Sequence, residues 1–402
     1  MAQKLSDLQS AGPILPTDLM LIDNGTPQQT RKVTILQLIQ TFVGNALQLF
    51  TTGANNVTPV VAVYAQNALG TTGFANLDVA IVPKGTGALL GTLPDNLIPG
   101  GNKRGTYAVD WQLLRTLALQ VAGAPNSAIG GGTQNSIGST SNYAVVAGGF
   151  NNAIPSCQGG FIGGGNGNSI SASTVPQYCV IAGGLTNTIF GTQSVIAGGQ
   201  GNTTGQSANA GISNNSIGGG LNNLADGLYG TIPGGWGATN RTITGVMSYS
   251  SGQFAARGDN QIEWGVFKLS TTTATPAGLT TDLSAPNTGN SFVLPNNSSY
   301  AFVAQVIARD TATGNTAMWE VRGAVKRGAN AAATAVVGSV VYTTTTGTST
   351  TPTQLAGDAG AAAWTIAAAA NTSTGALQIT GTGAAATTIR WASKIATVEV
   401  TN

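Results

Sequence analysis

Histidine is absent from this chain of 402 residues, and cysteine occurs only as Cys157 and Cys179. Without histidine the chain lacks both the commonest general base and the commonest imidazole ligand, so neither a metal nor a cofactor is expected. Charge is scarce too: Asp, Glu, Lys and Arg make up 7% of the sequence, and the net charge is +2. That balance leaves no basic footprint for nucleic acid or an anionic membrane surface. No apolar run reaches the roughly 18 residues of a membrane-spanning helix, so no membrane insertion is expected. The opening stretch "MAQKLSDLQSAG" lacks the apolar centre of a secretion signal. Synthesis in a cytoplasm is the expectation.

Glycine is abundant instead, with 57 residues. Much of it falls into one phrase: a β-branched residue, a small residue, two glycines, two free positions and usually asparagine. The seven copies begin at Ile129, Val146, Ile162, Ile181, Ile196, Ile217 and Ile232, at spacings of 17, 16, 19, 15, 21 and 15. A period near 16 is the length of one coil of a parallel β-solenoid or β-roll, too short for a helical-pair repeat. The seven first residues then form one inner row, with a second row at Ile137, Ile154, Ile170, Ile189, Thr204 and Ala225. Asn135, Asn152, Asn168, Asn187, Asn202 and Asn223 should stack as a ladder between coils. The paired glycines suit a tight turn with positive φ and close backbone approach. The two longer spacings put extra residues near Ser171–Gln177 and Thr204–Ser213, expected to project as surface loops.

On this phase Cys157 lies five residues before Ile162 and Cys179 two before Ile181. An offset of about three residues is roughly 10 Å along a strand, beyond disulfide reach unless an irregular loop bends back. Two buried thiols are the expected state.

The rest of the chain reads as three further parts. Residues 1–44 form a small α+β segment, with a strand near Asp18–Ile22, a second around "RKVTI" and a short helix ending near Phe42. Residues 45–123 form a linker and β-rich neck; its charge cluster, Lys103, Arg104, Asp110 and Arg115, lies just before the repeats at 124–245. Residues 246–402 carry period-2 strands joined by turns, an antiparallel β-sandwich of roughly jelly-roll type. The fold class is all-β. A 16-residue coil buries only two or three apolar side chains, while ordering costs about 1–2 kcal/mol per residue. Bundling of chains about a common axis relieves that deficit, and a homotrimer is expected.

Three stretches together resemble the tail-fibre proteins of bacteriophages. "LPTDLMLIDNGTPQQTRKVTILQLIQTF" resembles their N-terminal attachment segment, and "VAIVPKGTGALLGTLPDN" with "GGNKRGTYAVDWQ" resembles the segment before their glycine-rich repeats. "NSSYAFVAQVIARD" through "TIRWASKIATVEV" is similar to a terminal domain of such fibres. The repeats are similar to the left-handed β-roll heads of trimeric autotransporter adhesins. They depart from that pattern in their paired glycines and two enlarged returns, which leaves the handedness open. The resemblance implies a trimeric virion protein that docks to a tail or baseplate protein through its N-terminus. Its C-terminal tip would bind a host surface receptor, a polysaccharide. A bacterial surface adhesin is the first alternative, for which a secretion signal and membrane anchor are expected and not seen; a purely structural baseplate spacer is the second.

Catalysis is not expected. Glycoside hydrolysis needs two facing carboxyl groups roughly 5–10 Å apart. Across residues 111–256 Asp226 is the single acid, and Asp259 and Glu263, four apart on a strand, stand about 13 Å from each other. The glycine clusters open no helix and precede no Lys-Ser/Thr, so they are turns and not phosphate cradles. Arg322, Lys326 and Arg327 with Glu320 read as a solvated strand face. Trp264, Trp319, Trp364 and Trp391 read as sandwich core. If consecutive tip strands run antiparallel, the loops 310–315, 344–358 and 382–387 share one rim, rich in neutral hydrogen-bonding residues. Asp310, Asn315, Tyr342 and Gln354 are the receptor-contact candidates, Tyr342 as a ring for stacking on a sugar.

Overall fold

The computed structural model describes residues 19–22, 31–34, 62–65, 79–83, 85–171, 178–205 and 214–402. The chain divides into two units, Met1–Gly85 and Thr86–Asn402. In the first, Leu19–Ile22 pairs antiparallel with Arg31–Thr34, and Ala62–Ala65 with Val79–Val82. The expected helix ending near Phe42 lies outside the described residues.

In the second unit a β-solenoid runs from Leu89 to Met247. Ten short parallel strands stack along one ladder: Leu89–Leu90, Val109–Asp110, Ala128–Ile129 and the five later copies through Ser216–Ile217, then Thr231–Ile232 and Val246–Tyr249. This gives about nine turns where the repeat phrase predicts seven. The two earlier coils have Thr92–Leu93 and then Gln112–Leu113 where the others carry their paired glycines, so the motif does not find them. A second ladder runs through Ser136–Ile137, Ala153–Ile154, Ser169–Ile170, Thr188–Ile189, Thr203–Thr204 and Leu224–Ala225. A third line of single bridges joins Leu114, Thr133, Phe150, Asn166, Leu185, Gln200, Leu221 and Trp236. The ladders keep their register across both long returns, Phe161 opposite Val180 and Val195 opposite Ser216. Most of the residues expected to project there, 172–177 and 206–213, lie outside the described ones.

Two rows of side chains fill the coil interior. Ile129, Val146, Ile162, Ile181, Ile196, Ile217 and Ile232 are fully buried within the single chain, as are Ile154, Ile170, Ile189, Thr204 and Ala225, with Ile137 all but so. The asparagines at 135, 152, 168, 187, 202 and 223 are buried beside them. Their bonding is mainly to backbone. Asn187 Nδ2 donates to the carbonyls of Gly183 and Gly199, each at 3.0 Å, and Asn187 Oδ1 accepts from the Asn202 amide at 3.0 Å. Direct amide-to-amide bonds supplement this in Asn168, Asn187 and Asn223. Gln112 opens the series, its Oε1 accepting from the Asn135 amide at 2.9 Å, and Ala238 closes it with its amide on Asn223 Oδ1. The two glycines of each phrase have different tasks. A Cβ on Gly184 (φ +98) would overlap the Gly199 carbonyl of the next coil, whereas one on Gly183 meets open space.

The last solenoid strand continues the same sheet into the C-terminal region. We label the tip strands β1 (Val246–Tyr249), β2 (Asn260–Thr271), β3 (Ser298–Asp310), β4 (Thr316–Arg327), β5 (Thr334–Thr344), β6 (Gly347–Ser349), β7 (Thr365–Asn371), β8 (Ala376–Thr382) and β9 (Ile389–Thr401). The large antiparallel sheet has the order β1-β2-β9-β3-β4-β5-β6. A smaller one is built on β8, which pairs with β7, Ala277–Gly278 and Phe292–Val293. The final strand is thus inserted between β2 and β3, and the pairing is not the two interleaved four-stranded sheets of a jelly roll. Trp319, Trp364 and Trp391 fill the space between the sheets, Trp319 stacked on Trp391 at 5.6 Å. Trp264 instead sits on the outer face, 40% exposed.

Candidate functional site

The charge cluster predicted before the repeats sits inside the first coils. Asp110 occupies the row that isoleucine holds elsewhere, and its Oδ2 meets Arg104 Nε at 2.8 Å and Arg115 Nη2 at 3.3 Å, all three side chains fully buried. Arg115 also donates to the carbonyls of Gln112, Gln120 and Pro99, tying together the loops of the first two coils. Burial pulls Arg104 below its ordinary range, and Asp110 opposes that.

A second buried cluster lies where solenoid meets tip. Arg241 Nη1 binds Glu399 Oε2 and the Tyr300 hydroxyl, stands 3.6 Å from Glu263 Oε2, and Arg241 Nη2 donates to the Gly258 carbonyl. Ser248 and Gln261 donate to Glu263 Oε1. Burial, then the charge of Glu399, pushes the Glu263 carboxyl well above the usual range. The sequence argument weighed Asp259 against Glu263 along one strand. Cross-strand pairing of β2 with β9, which sets Gln261 opposite Glu399, instead brings Glu263 and Glu399 to one guanidinium. Asp259 turns to its own loop and accepts from the amides of Phe254, Ala255 and Ala256 at 2.9, 2.6 and 2.7 Å.

Cys157 and Cys179 are buried thiols without a disulfide, Cys179 Sγ donating to the Gly191 carbonyl, and the neighbouring Cys179 and burial raise the Cys157 thiol. The turn at 157–160, closed by the Gly160 amide on the Cys157 carbonyl, is the bend that cancels their offset in register.

The receptor-contact candidates fall at one rim only in part. Loops 310–315, 358 and 388 are joined by bonds from Thr311 to the Thr388 carbonyl and from Asp358 to the Thr316 carbonyl. Asp310 is buried, its carboxylate taken by the Ala312 and Thr313 amides and the Thr313 hydroxyl. Asn315 is half-buried, and Gln354 Nε2 is bound to the Ala361 and Trp364 carbonyls. Tyr342 is corrected outright: its ring is 2% exposed in the tip core and has no face for a sugar. Period-2 alternation puts every second residue inside, and the sequence reading chose the wrong phase for this ring. Arg322 and Lys326 are exposed, Arg327 donates to the Leu294 carbonyl, and Glu320 accepts from Gln305 and Thr343.

What the sequence reading missed is a face. Outward from the first ladder stand Tyr143, Val145 and Ala147, then Phe161, then Tyr178, Val180 and Ala182, then Val195 and Ala197, without a charged residue among them. After the polar outward positions Ser216 and Thr231, apolar residues resume on the tip sheet with Tyr249, Ile262, Trp264, Val398, Val303 and Val400, each 40–61% exposed. Tyr107, Tyr143, Tyr178 and Tyr229 hold left-handed backbone (φ 36–61°) while 57–60% exposed. That conformation costs roughly 1–2 kcal/mol for a side chain of this kind. The signal lies in the outward half of each alternating strand.

No family model matches the chain, and no curated protein does. Among solved structures it has a weak similarity to phage tailspike proteins. One is the tailspike protein gp49 from Acinetobacter baumannii bacteriophage Fri1, a capsular polysaccharide depolymerase, at 7% identity over 84% of this chain and 75% of that chain, with TM-score 0.19. Another is the Acinetobacter phage vB_ApiP_P1 tailspike protein, at 11% identity over 73% of this chain and 59% of that chain, with TM-score 0.20.

Proposed function

We propose that the protein is a receptor-binding fibre of a phage tail, assembled as a homotrimer and attaching the tail to a polysaccharide on the host surface. The carrying observation is the outer face of the solenoid and tip sheet, apolar through Val195 and Ala197, polar at Ser216 and Thr231, and apolar again at Tyr249, Ile262, Trp264 and Val398. Exposed apolar patches of this kind call for a partner, and a face repeated along a rod is suited to further copies of the same chain. Three sites on one axis raise the effective concentration for the second and third contacts with a repetitive glycan. In this reading residues 1–44 dock to the tail and the solenoid is a rigid spacer.

Binding without cleavage is part of the proposal. Glu263 and Glu399 are sealed beneath Arg241, which forms the wall between them and the surface, so a glycosidic bond has no path to either carboxyl. The test is antibody labelling of virions in the electron microscope, with competition of infection by purified protein. Label on the tail and blocked infection are expected. Label on a bacterial surface would favour an adhesin, and tail label without competition would leave only a spacer.

A further inference from the structure

Between the last solenoid coil and the tip sheet the loop 252–258 stands as a shelf with a hollow on each side. On the tip side is a cleft of about 610 Å³ lined by Arg241, Phe254, Pro295, Asn297, Ser299 and Val400. On the solenoid side is one of about 580 Å³ lined by Asn222, Leu224, Thr239, Gln253 and Arg257. The shelf is rigidly built: Asp259 takes three of its amides, and the Ser250 hydroxyl donates to the carbonyls of Gly252 and Asn260. Yet its largest side chain, Phe254, is left 74% exposed, and the exposed Arg257 guanidinium has Asp226 as its electrostatic partner.

We propose that this shelf is a saccharide-binding site, with a pyranose ring stacked on Phe254 and the chain lying across both hollows. The proposal rests on the receptor-binding reading above and moves the contact from the distal rim to the solenoid–tip junction. The chemistry matches in kind. A sugar ring offers an apolar C–H face to an aromatic platform and hydroxyls to amide, hydroxyl and guanidinium groups, which Asn222, Gln253, Arg257, Asn297 and Ser299 supply. A loop held by its own carboxylate presents these groups already ordered, so little conformational entropy is lost on binding.

The experiment is binding of the full-length protein to host cells, and to capsular polysaccharide purified from those cells, for wild type, Phe254→Ala, Phe254→Trp and Arg257→Gln. Because Phe254 is so exposed, melting temperatures should not change. Affinity for the polysaccharide should fall at least tenfold in Phe254→Ala, be kept in Phe254→Trp, and fall severalfold in Arg257→Gln. Wild-type affinity in Phe254→Ala overturns the shelf site while leaving the receptor-binding reading intact. Failure of the wild-type protein to bind any cell that the phage infects overturns that reading, and the shelf with it.

Discussion

At the scale of single residues, the paired glycines make the clearest case that one motif hides two constraints. Gly184 combines a φ of +98 with a backbone neighbour that leaves no room for a methyl group; Gly183 has open space and no positive φ. Gly184→Ala should therefore cost about 1–2 kcal/mol for its backbone, with roughly 1–3 kcal/mol more from overpacking. Gly183→Ala should be neutral or slightly stabilising, because it restricts the unfolded chain. Chemical denaturation of the two variants tests this, and equal destabilisation would mean that the turn is not built as described. The inner row and the asparagine positions were legible from the sequence because side chains repeated on a fixed period must share an environment. The bonding of each asparagine was less so, since a ladder of amides and a set of side-chain-to-backbone clamps leave the same residue at the same spacing.

At the scale of elements, the two ends of the solenoid are closed by buried charge. At the first end, Asp110 neutralises Arg104 and Arg115, all three side chains being fully buried. Asp110→Ala strands two guanidiniums, and about 3–5 kcal/mol of stability should be lost, as when one partner of a buried pair is removed. A change under 1 kcal/mol in denaturant unfolding would show that the cluster is not what seals the coil. At the other end, burial and then the charge of Glu399 push the Glu263 carboxyl well above its usual range, with Arg241 opposing. A carboxyl whose folded pKa is raised contributes its stability fully below the unfolded value and loses it as pH rises through the folded one. The melting temperature should thus decline as pH rises above the ordinary carboxylate range, and Glu263→Gln, which removes the titrating group, should flatten that decline. An unchanged slope in the variant would assign the loss to other groups. Neither closure was readable as such: the cluster at 103–115 was visible as charge, but its burial follows from two coils that lack the glycine phrase. Glu263 and Glu399 are 136 residues apart in sequence and meet only through the pairing of β2 with β9.

At the scale of the whole molecule, the sequence argument for assembly began from a coil too thin to stay folded, whereas the structure shows rows wholly buried within one chain. The case for assembly now rests on the outer face instead, and this changes which substitution isolates it. Ile181 is in the coil interior, so Ile181→Asp should unfold the solenoid itself and says nothing about partners. Val398 is 61% exposed in the single chain and lies between Ile262 and Ala301 on the tip sheet. A surface change of this kind alters the stability of an isolated chain by no more than about 0.5 kcal/mol. Covered by a second copy, the same carboxylate would be buried without a partner, at a cost of several kcal/mol per subunit. Val398→Glu should therefore keep its circular dichroism spectrum while sedimenting as a monomer, against a trimer for the wild type. A wild-type monomer, or a variant that remains trimeric, would place the contact elsewhere than this face. If the variant is monomeric and folded, its binding to a repetitive glycan should weaken far more than threefold, because the loss is of effective concentration and not of sites.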